Sequence, residues 1–424
     1  MTICAMGSGY SAAMRLADWD STEVRLLHAG PLHHRDGGEC SAGLVAERRI
    51  ALAAGRETAQ PCALLSRKRI NRAANALVQG RNTMRHSARL GTMLALAVAT
   101  AFATAGSRAY AQASDPNSAP NPYRMLDKWV QVPEGRQLGA AIGVAMDRDG
   151  KSLWVYERCG ADTCEGSKLA PIWKFDPSGK PVANFGADLV NWPHGFNVDR
   201  DDNVWVTDGR PGNGKGHTVI KLSSDGKVLM TLGKPGVAGD ALDMFDTPSD
   251  VLIAPNGDIF VADGHGEINK KVTNDRIMRF SKDGKFIKTW GKHGSGPGQL
   301  DTPHKLAMDS QGRLFVADRV NSRVQIFDQD GRILAEWKQF GRPSSVYIDK
   351  NDVLYVADSQ STDKTNPGYK QGIRIGSAKD GKVTAFIPLS DPGLESAEEV
   401  TADDQGNLFA GFTTKRFLKK FVKN

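Results

Sequence analysis

His194 and His304 are the residues whose types and spacing most directly invite chemistry. Each follows a proline at the head of a short strand, in PHGFNVD and PHKLAMD. Only five of the nine histidines lie beyond residue 111, and two of those five share this one position. Six aromatic anchors set the register: Trp154, Trp205, Phe260, Phe315, Tyr355 and Phe409, most of them heading a V-x-D-like phrase. Eleven residues before each anchor, with one inserted residue allowed in the first, stand Ile142, His194, Ser249, His304, Ser344 and Glu398. Two imidazoles and a carboxylate in the second, fourth and sixth repeats make a donor set for zinc, or for iron(II), with coordination positions left open. Glu399 would take the place of Glu398 if the register slipped by one. Taken singly, such residues are more often a packed histidine or a solvated acid; their common register is what argues for a metal.

These side chains can meet only if the repeats close into a ring. The anchors are 51, 55, 55, 40 and 54 residues apart, and before each runs an apolar strand ending in a turn, as in GVAMDRDG, GFNVDRDDN and KLAMDSQG. After most anchors come a loop, a third strand, an Asp-Gly or Ser-Gly turn and a fourth strand, most plainly in RVQIFDQDGRILAEW. Tight hairpin turns and period-two alternation at this repeat length predict an all-β fold, a six-bladed β-propeller over residues 123–424. An open array of β-sandwiches would leave its edges unpaired. Ring closure is expected between Lys128–Val132 and Arg416–Val422. Alternate blades of six are related by about a third of a turn, so His194, His304 and Glu398 would converge on the axis.

Whatever recurs in most blades reads as scaffold, and that includes Asp208, Asp263, Asp318 and Asp358 in the V-x-D slot. The residues just after that slot, Arg158, Gly209, His265 and Arg319, fall on the rim where the inner strands begin. The longer segments 209–217, 264–275 and 359–371 follow on that same rim, whereas the other rim has only tight turns. A pocket for a small-molecule or peptide substrate in the central channel is therefore expected there. Arg158 and Arg319 would hold a carboxylate or polarise a carbonyl, and His265 would serve as general base.

The net charge of +7 resides in residues 1–111, which hold 14 Lys+Arg against 7 Asp+Glu; the remainder carries 41 of each. A neutral body makes nucleic acid a poor partner. From Met84 the chain reads MRHSARLGTMLALAVATAFATAGSRAYA, with Arg85 and Arg89, then the apolar run Met93–Ala105, then a small-x-small site at Ala109–Ala111. That run of about 13 residues is short of the roughly 20 needed to span a bilayer. It has the order of parts of a secretory signal peptide over 84–111, so an exported protein, periplasmic or extracellular and not stably inserted in a membrane, is expected. Residues 1–83 read as an over-extended frame or disordered leader, and 112–122 as an unstructured lead-in. In an exported chain Cys159 and Cys164 can close a small disulfide loop. A monomer is expected.

The blades resemble NHL repeats, and residues 137–423 as a whole resemble the peptidyl-α-hydroxyglycine amidating lyases (peptidylamidoglycolate lyases). The resemblance is carried by WPHGFNVD, FDTPSDVLIAPNGDIFVADG, GPGQLDTPHKLAMD, FVADRVNSRVQIF and FGRPSSV. It implies a metal-dependent lyase that cleaves an α-hydroxy-amide-like substrate. It also implies a channel zinc on three histidines, two of them matching His194 and His304, with substrate-contacting arginines matching Arg158 and Arg319. A structural calcium is implied on the carbonyls of Val144 and Phe196 and the carboxylate of Glu399. The chain departs from this pattern twice: Glu398 stands where the third histidine would be, and His265 stands where the catalytic tyrosine would be. A non-catalytic NHL-repeat scaffold and a gluconolactonase-like hydrolase are the alternatives on the same fold.

Overall fold

The computed structural model describes residues 115–126, 128–266, 274–389, 396–414 and 418–424. The leader at 1–83, the signal segment at 84–111 and Arg416 of the expected closing strand lie outside the described residues. Strands are arranged in six four-stranded antiparallel sheets. Each begins with an inner strand: Ala141–Met146, Pro193–Val198, Pro248–Ile253, Pro303–Met308, Pro343–Ile348 and Ala397–Ala402 in blades one to six. The fold is therefore the six-bladed propeller that the repeat predicts. No helix among the described residues is long and apolar enough to cross a membrane.

The second strand of every blade is buried along its length, save for Val353 at the start of the fifth, and each aromatic anchor sits on it. The core lies between adjacent blades. Trp154 and Tyr156 of blade one pack with Phe196, Val204 and Val206 of blade two, and Phe260 of blade three packs with Leu306 and Val316 of blade four. The V-x-D aspartates brace this packing. Asp208 accepts the Trp192 and Asn191 N–H groups, which enter the inner strand of its own blade. Asp263, Asp318 and Asp358 likewise accept from Asp246, Asp301 and Arg342. Each of these three also pairs with an arginine of the third strand, Arg276, Arg323 or Arg374. They are scaffold.

Ring closure differs in its partner from the sequence expectation. Tyr123–Leu126, rather than Lys128–Val132, pairs with Leu418–Lys423 as the outer strand of blade six. Trp129 instead buries its indole between Phe175 of blade one and Phe409 of blade six, so that segment crosses the seam as an apolar plug and does not pair. The lead-in differs too over its described part. Asn117 bonds Gly368, Lys370 and Arg374, and the Pro120 carbonyl accepts from Phe386, pinning residues 115–122 to blade five.

One irregularity recurs in all six inner strands and decides what the channel contains. Pairing with the second strand shifts register at the strand's second or third residue, between Pro193 and Phe196 or between Pro248 and Asp250, for example. The same shift occurs in the other four blades. A bulge places two residues opposite one and re-aims side chains. Two consecutive residues per blade can thereby reach the axis, whereas regular pleating would send every other one into the blade interface.

Candidate functional site

The first of these two rings holds Ile142, His194, Ser249, His304, Ser344 and Glu398, all buried, and the eleven-residue register is the physical one. His194 and His304 belong to blades two and four, yet their rings are 4.7 Å apart, so they meet across the channel. Glu398 of blade six reaches the same point, its Oε1 3.1 Å from His304 Nε2. Glycine at 264 turns the loop after Asp263 inward, with φ +144° and a Cβ position that would lie 2.6 Å from the Asp275 nitrogen. His265 is thereby carried into the centre, its Nε2 3.2 Å from His304 Nε2. His194, His265 and His304 each offer a ring nitrogen within 4.8 Å of the other two. Arg319 closes the group, Nη1 at 3.2 Å from Glu398 Oε1 and Nη2 at 3.1 Å from His265 Nε2.

The protonation pattern of this cluster is informative. His194 Nδ1 donates to the Ser249 carbonyl at 2.7 Å, and His304 Nδ1 donates to the Ser344 carbonyl at 2.6 Å. A carbonyl can only accept, so both Nε2 atoms of the neutral rings are lone pairs, in the tautomer that outer hydrogen bonds set for metal-ligating histidines. Burial lowers the pKa of all three histidines; His304 and Arg158 add to this at His194, Arg319 and the other two imidazoles at His265, and Arg319 at His304, where Glu398 opposes it. Burial works against the Glu398 charge, but His304 and Arg319 overcome it and hold the carboxyl well below its usual range. His304 Nε2 therefore faces another imidazole nitrogen and an ionised oxygen with no hydrogen to spare. His194 Nε2 and His265 Nδ1 have no hydrogen-bond partner among the described residues. Donors on a tetrahedral zinc sit about 3.3 Å apart, and the 3.2 Å between His265 Nε2 and His304 Nε2 matches that spacing. The residues fit a divalent metal of the zinc class.

Around the centre, Arg158 donates from Nε to the Pro193 carbonyl and lies 4.1 Å from the centroid of Trp192, with Arg210 at 3.9 Å from the same indole. Burial lowers the Arg158 pKa to about 10, opposed by Glu398 and helped by Arg210. Trp192 in turn packs on His194 and His265, placing an aromatic wall between the arginines and the imidazoles. Ser359 donates to Glu398 Oε2 at 3.1 Å. Sequence reasoning gave Trp192, Arg210 and Ser359 no role; only their nearness to the rim after the V-x-D slot could have raised them. Gly209 is buried on that rim, where a Cβ would meet Trp192.

The Cys159–Cys164 disulfide is formed. It lies directly beyond Arg158 and ties down the loop that presents it.

The second channel ring holds Gly143, Gly195, Asp250, Lys305, Ser345 and Glu399. Lys305 Nζ lies 3.1 Å from Asp250 Oδ1, 3.1 Å from Glu399 Oε2 and 3.3 Å from the Phe196 carbonyl. Burial disfavours the ammonium, but Asp250 and Glu399 raise its pKa. Burial also pushes the Glu399 pKa up, against the pull of Lys305. Glu399 thus lies one layer below the histidines and is not a ligand of their centre. Past this layer a cavity of about 290 Å³, lined by Val144, Phe196, Leu306, Val346 and Glu399 among others, opens away from the imidazoles.

With the geometry in place, the chain can be set beside known proteins. The family model described as NHL repeat matches residues 300–327, the segment that runs through His304, Lys305 and Arg319. NHL repeat-containing protein 3 of Homo sapiens is 33% identical over 310 residues, covering 71% of this chain and 84% of that protein. The chain belongs to the NHL-repeat family. Peptidyl-glycine alpha-amidating monooxygenase B of Xenopus laevis is 32% identical over 287 residues, and peptidyl-alpha-hydroxyglycine alpha-amidating lyase 1 of Drosophila melanogaster is 35% identical over 219 residues. These matches cover 63% and 45% of the NHL-repeat chain. It spans only 30% of the length of the Xenopus protein and 38% of the Drosophila one.

Proposed function

We propose that the protein is an exported, metal-dependent lyase of the peptidyl-α-hydroxyglycine amidating type. The observation that carries this reading is the meeting of His194, His265, His304, Glu398 and Arg319 at one point of the channel. The name of the Drosophila relative supports the reaction class, and the disulfide supports export.

In this reading the metal is held by His194, His304 and His265. The chain's two departures from the lyase pattern then compensate one another: the imidazole absent at position 398 is supplied from position 265. This exchanges the roles expected for His265 and Glu398. When bound, a zinc-class ion supplies Lewis acidity that lowers the pKa of a substrate hydroxyl. Glu398, kept ionised by Arg319 and oriented by Ser359, accepts the hydroxyl proton. The hydroxyl oxygen becomes an aldehyde carbonyl, the carbon–nitrogen bond breaks, and the amide nitrogen takes up a proton. Arg158, backed by the Trp192 face and the Pro193 carbonyl, holds the carboxylate of the leaving glyoxylate-like fragment. Trp192 excludes water from that side.

The test is incubation of the purified protein with a short peptide ending in α-hydroxyglycine. Metal-dependent release of glyoxylate together with peptide amide supports the reading. Stoichiometric metal without turnover would favour a non-catalytic scaffold.

A further inference from the structure

The second channel ring contradicts one property that the lyase resemblance implies. A structural calcium on the carbonyls of Val144 and Phe196 with Glu399 needs a cavity bounded by oxygens at 2.3–2.6 Å from the ion. The Lys305 ammonium stands in that cradle. Its three contacts, Asp250 Oδ1, Glu399 Oε2 and the Phe196 carbonyl, come from blades three, six and two and lie at 3.1, 3.1 and 3.3 Å. An ammonium has three hydrogens to donate and no lone pair; it hydrogen-bonds the Phe196 carbonyl and pairs by charge with the Asp250 and Glu399 carboxyl groups, so three blades hold it. Contacts this short leave no room for a second cation between those three oxygens. The residues here do not fit calcium.

We propose that Lys305 is a tethered cation that takes the place of a bound calcium ion, so that the propeller ties its blades together at the axis with a side chain of its own. The ring is built for this. The other oxygen of Asp250 accepts the Leu306 N–H at 2.9 Å, and Ser345 donates to Glu399 at 3.2 Å, fixing both carboxylates in place. Glycine at 143 and 195 lets the ring close, since a Cβ at Gly143 would lie 2.3 Å from Phe196 Cβ and one at Gly195 2.4 Å from Asp250 Cα. The bulge of blade four is what delivers Lys305 here while its neighbour His304 serves the ring above. One ammonium against two buried carboxylates and a carbonyl links blades two, three, four and six, as a divalent ion would, but with no dependence on its concentration.

The inference rests on the geometry of this ring and not on the lyase reading, and the zinc content recorded on the same samples separates the two. The purified protein and its Lys305→Ser variant are melted with and without millimolar calcium, and calcium is counted by elemental analysis after desalting. The wild type is expected to hold no calcium equivalent and to keep its melting midpoint on calcium addition. Lys305→Ser leaves two carboxylates and a carbonyl facing one another, so it is expected to melt several degrees lower, to bind one calcium and to regain stability with it, by linkage. One calcium equivalent in the wild type, or a Lys305→Ser protein that is unchanged in stability and indifferent to calcium, would overturn the proposal. If Lys305→Ser does not fold, Lys305→Met, which keeps the volume without the charge, replaces it: a midpoint equal to wild type overturns the proposal, and a lowered one upholds it.

Discussion

His304 and Lys305 are consecutive in the chain yet serve two different layers of the channel. The His304 ring lies 4.7 Å from that of His194, and the Lys305 ammonium reaches the Phe196 carbonyl two residues farther along the same facing strand. In a regular strand such neighbours point to opposite faces; the bulge between Pro303 and Leu306 turns both to the axis. One dipeptide thus joins a site of chemical capacity to the contact that holds the blades around it.

The exchange of roles between positions 265 and 398 makes a prediction about metal affinity. His265→Ala is expected to weaken zinc binding by at least tenfold, because it removes one of three imidazole donors. Glu398→Gln is expected to retain the metal and to lower kcat by about a hundredfold or more, as loss of a general base does. Zinc titration against a chromophoric chelator, paired with glyoxylate assays, checks both. A Glu398→Gln protein without metal and a His265→Ala protein with unchanged affinity would restore the opposite assignment.

Arg158 and Arg319 are expected to separate in kinetics. Arg158→Lys keeps the charge but loses the Nε bond to Pro193 and the stacking on Trp192, so KM should rise about tenfold with kcat less affected. Arg319→Ala should lower kcat instead, since it frees Glu398 from one of the groups that holds its pKa down. It should also move the acid limb of the pH–rate profile to higher pH. Steady-state kinetics from pH 5 to 8 distinguish the two.

How much of this was legible in the sequence follows from what each signal was made of. Histidine is scarce beyond residue 111, so two in one register stood out, and Glu398 followed by counting. Lys305 did not stand out, although it lies beside His304, because a lysine before the apolar Leu306 reads as the solvent side of an alternating strand. The bulge that turns it inward leaves no mark in composition. Trp192 and Arg210 were hidden for another reason: the Trp192 indole meets Arg158 and His265 from the loops of the two neighbouring blades, and Arg210 is placed by stacking on that indole. The closing strand was misplaced because Lys128–Val132 is rich in strand-forming Trp and Val, while Trp129 is used as an apolar plug.

Asp208 gives a pH signature to stability. Burial raises its pKa to about 6, despite N–H groups from Trp192, Asn191 and Gly216 that oppose the rise. The folded state then holds a proton that the unfolded chain has lost, so stability falls as pH rises from about 4 to about 6 and this group adds no further slope above that. Asp208→Asn should remove that part of the slope. Urea melts at pH 4, 5, 6 and 7 should give wild-type-minus-variant differences that change up to pH 6 and then level off.

The disulfide is expected to matter through Arg158. Cys159→Ser with Cys164→Ser opens a loop of six residues and should cost about 2 kcal/mol on the chain-entropy scale. It should also raise KM by loosening the segment that carries the guanidinium. A melt and a KM determination in the presence and absence of reductant check this.

The most direct test of the metal-centred account is elemental analysis of the purified protein beside its His304→Ala variant, with glyoxylate release followed on the same samples. The account predicts about one zinc-class ion per chain in the wild type, and loss of both metal and turnover in the variant. A wild-type protein without metal, or a His304→Ala protein that keeps its full metal content, would contradict it.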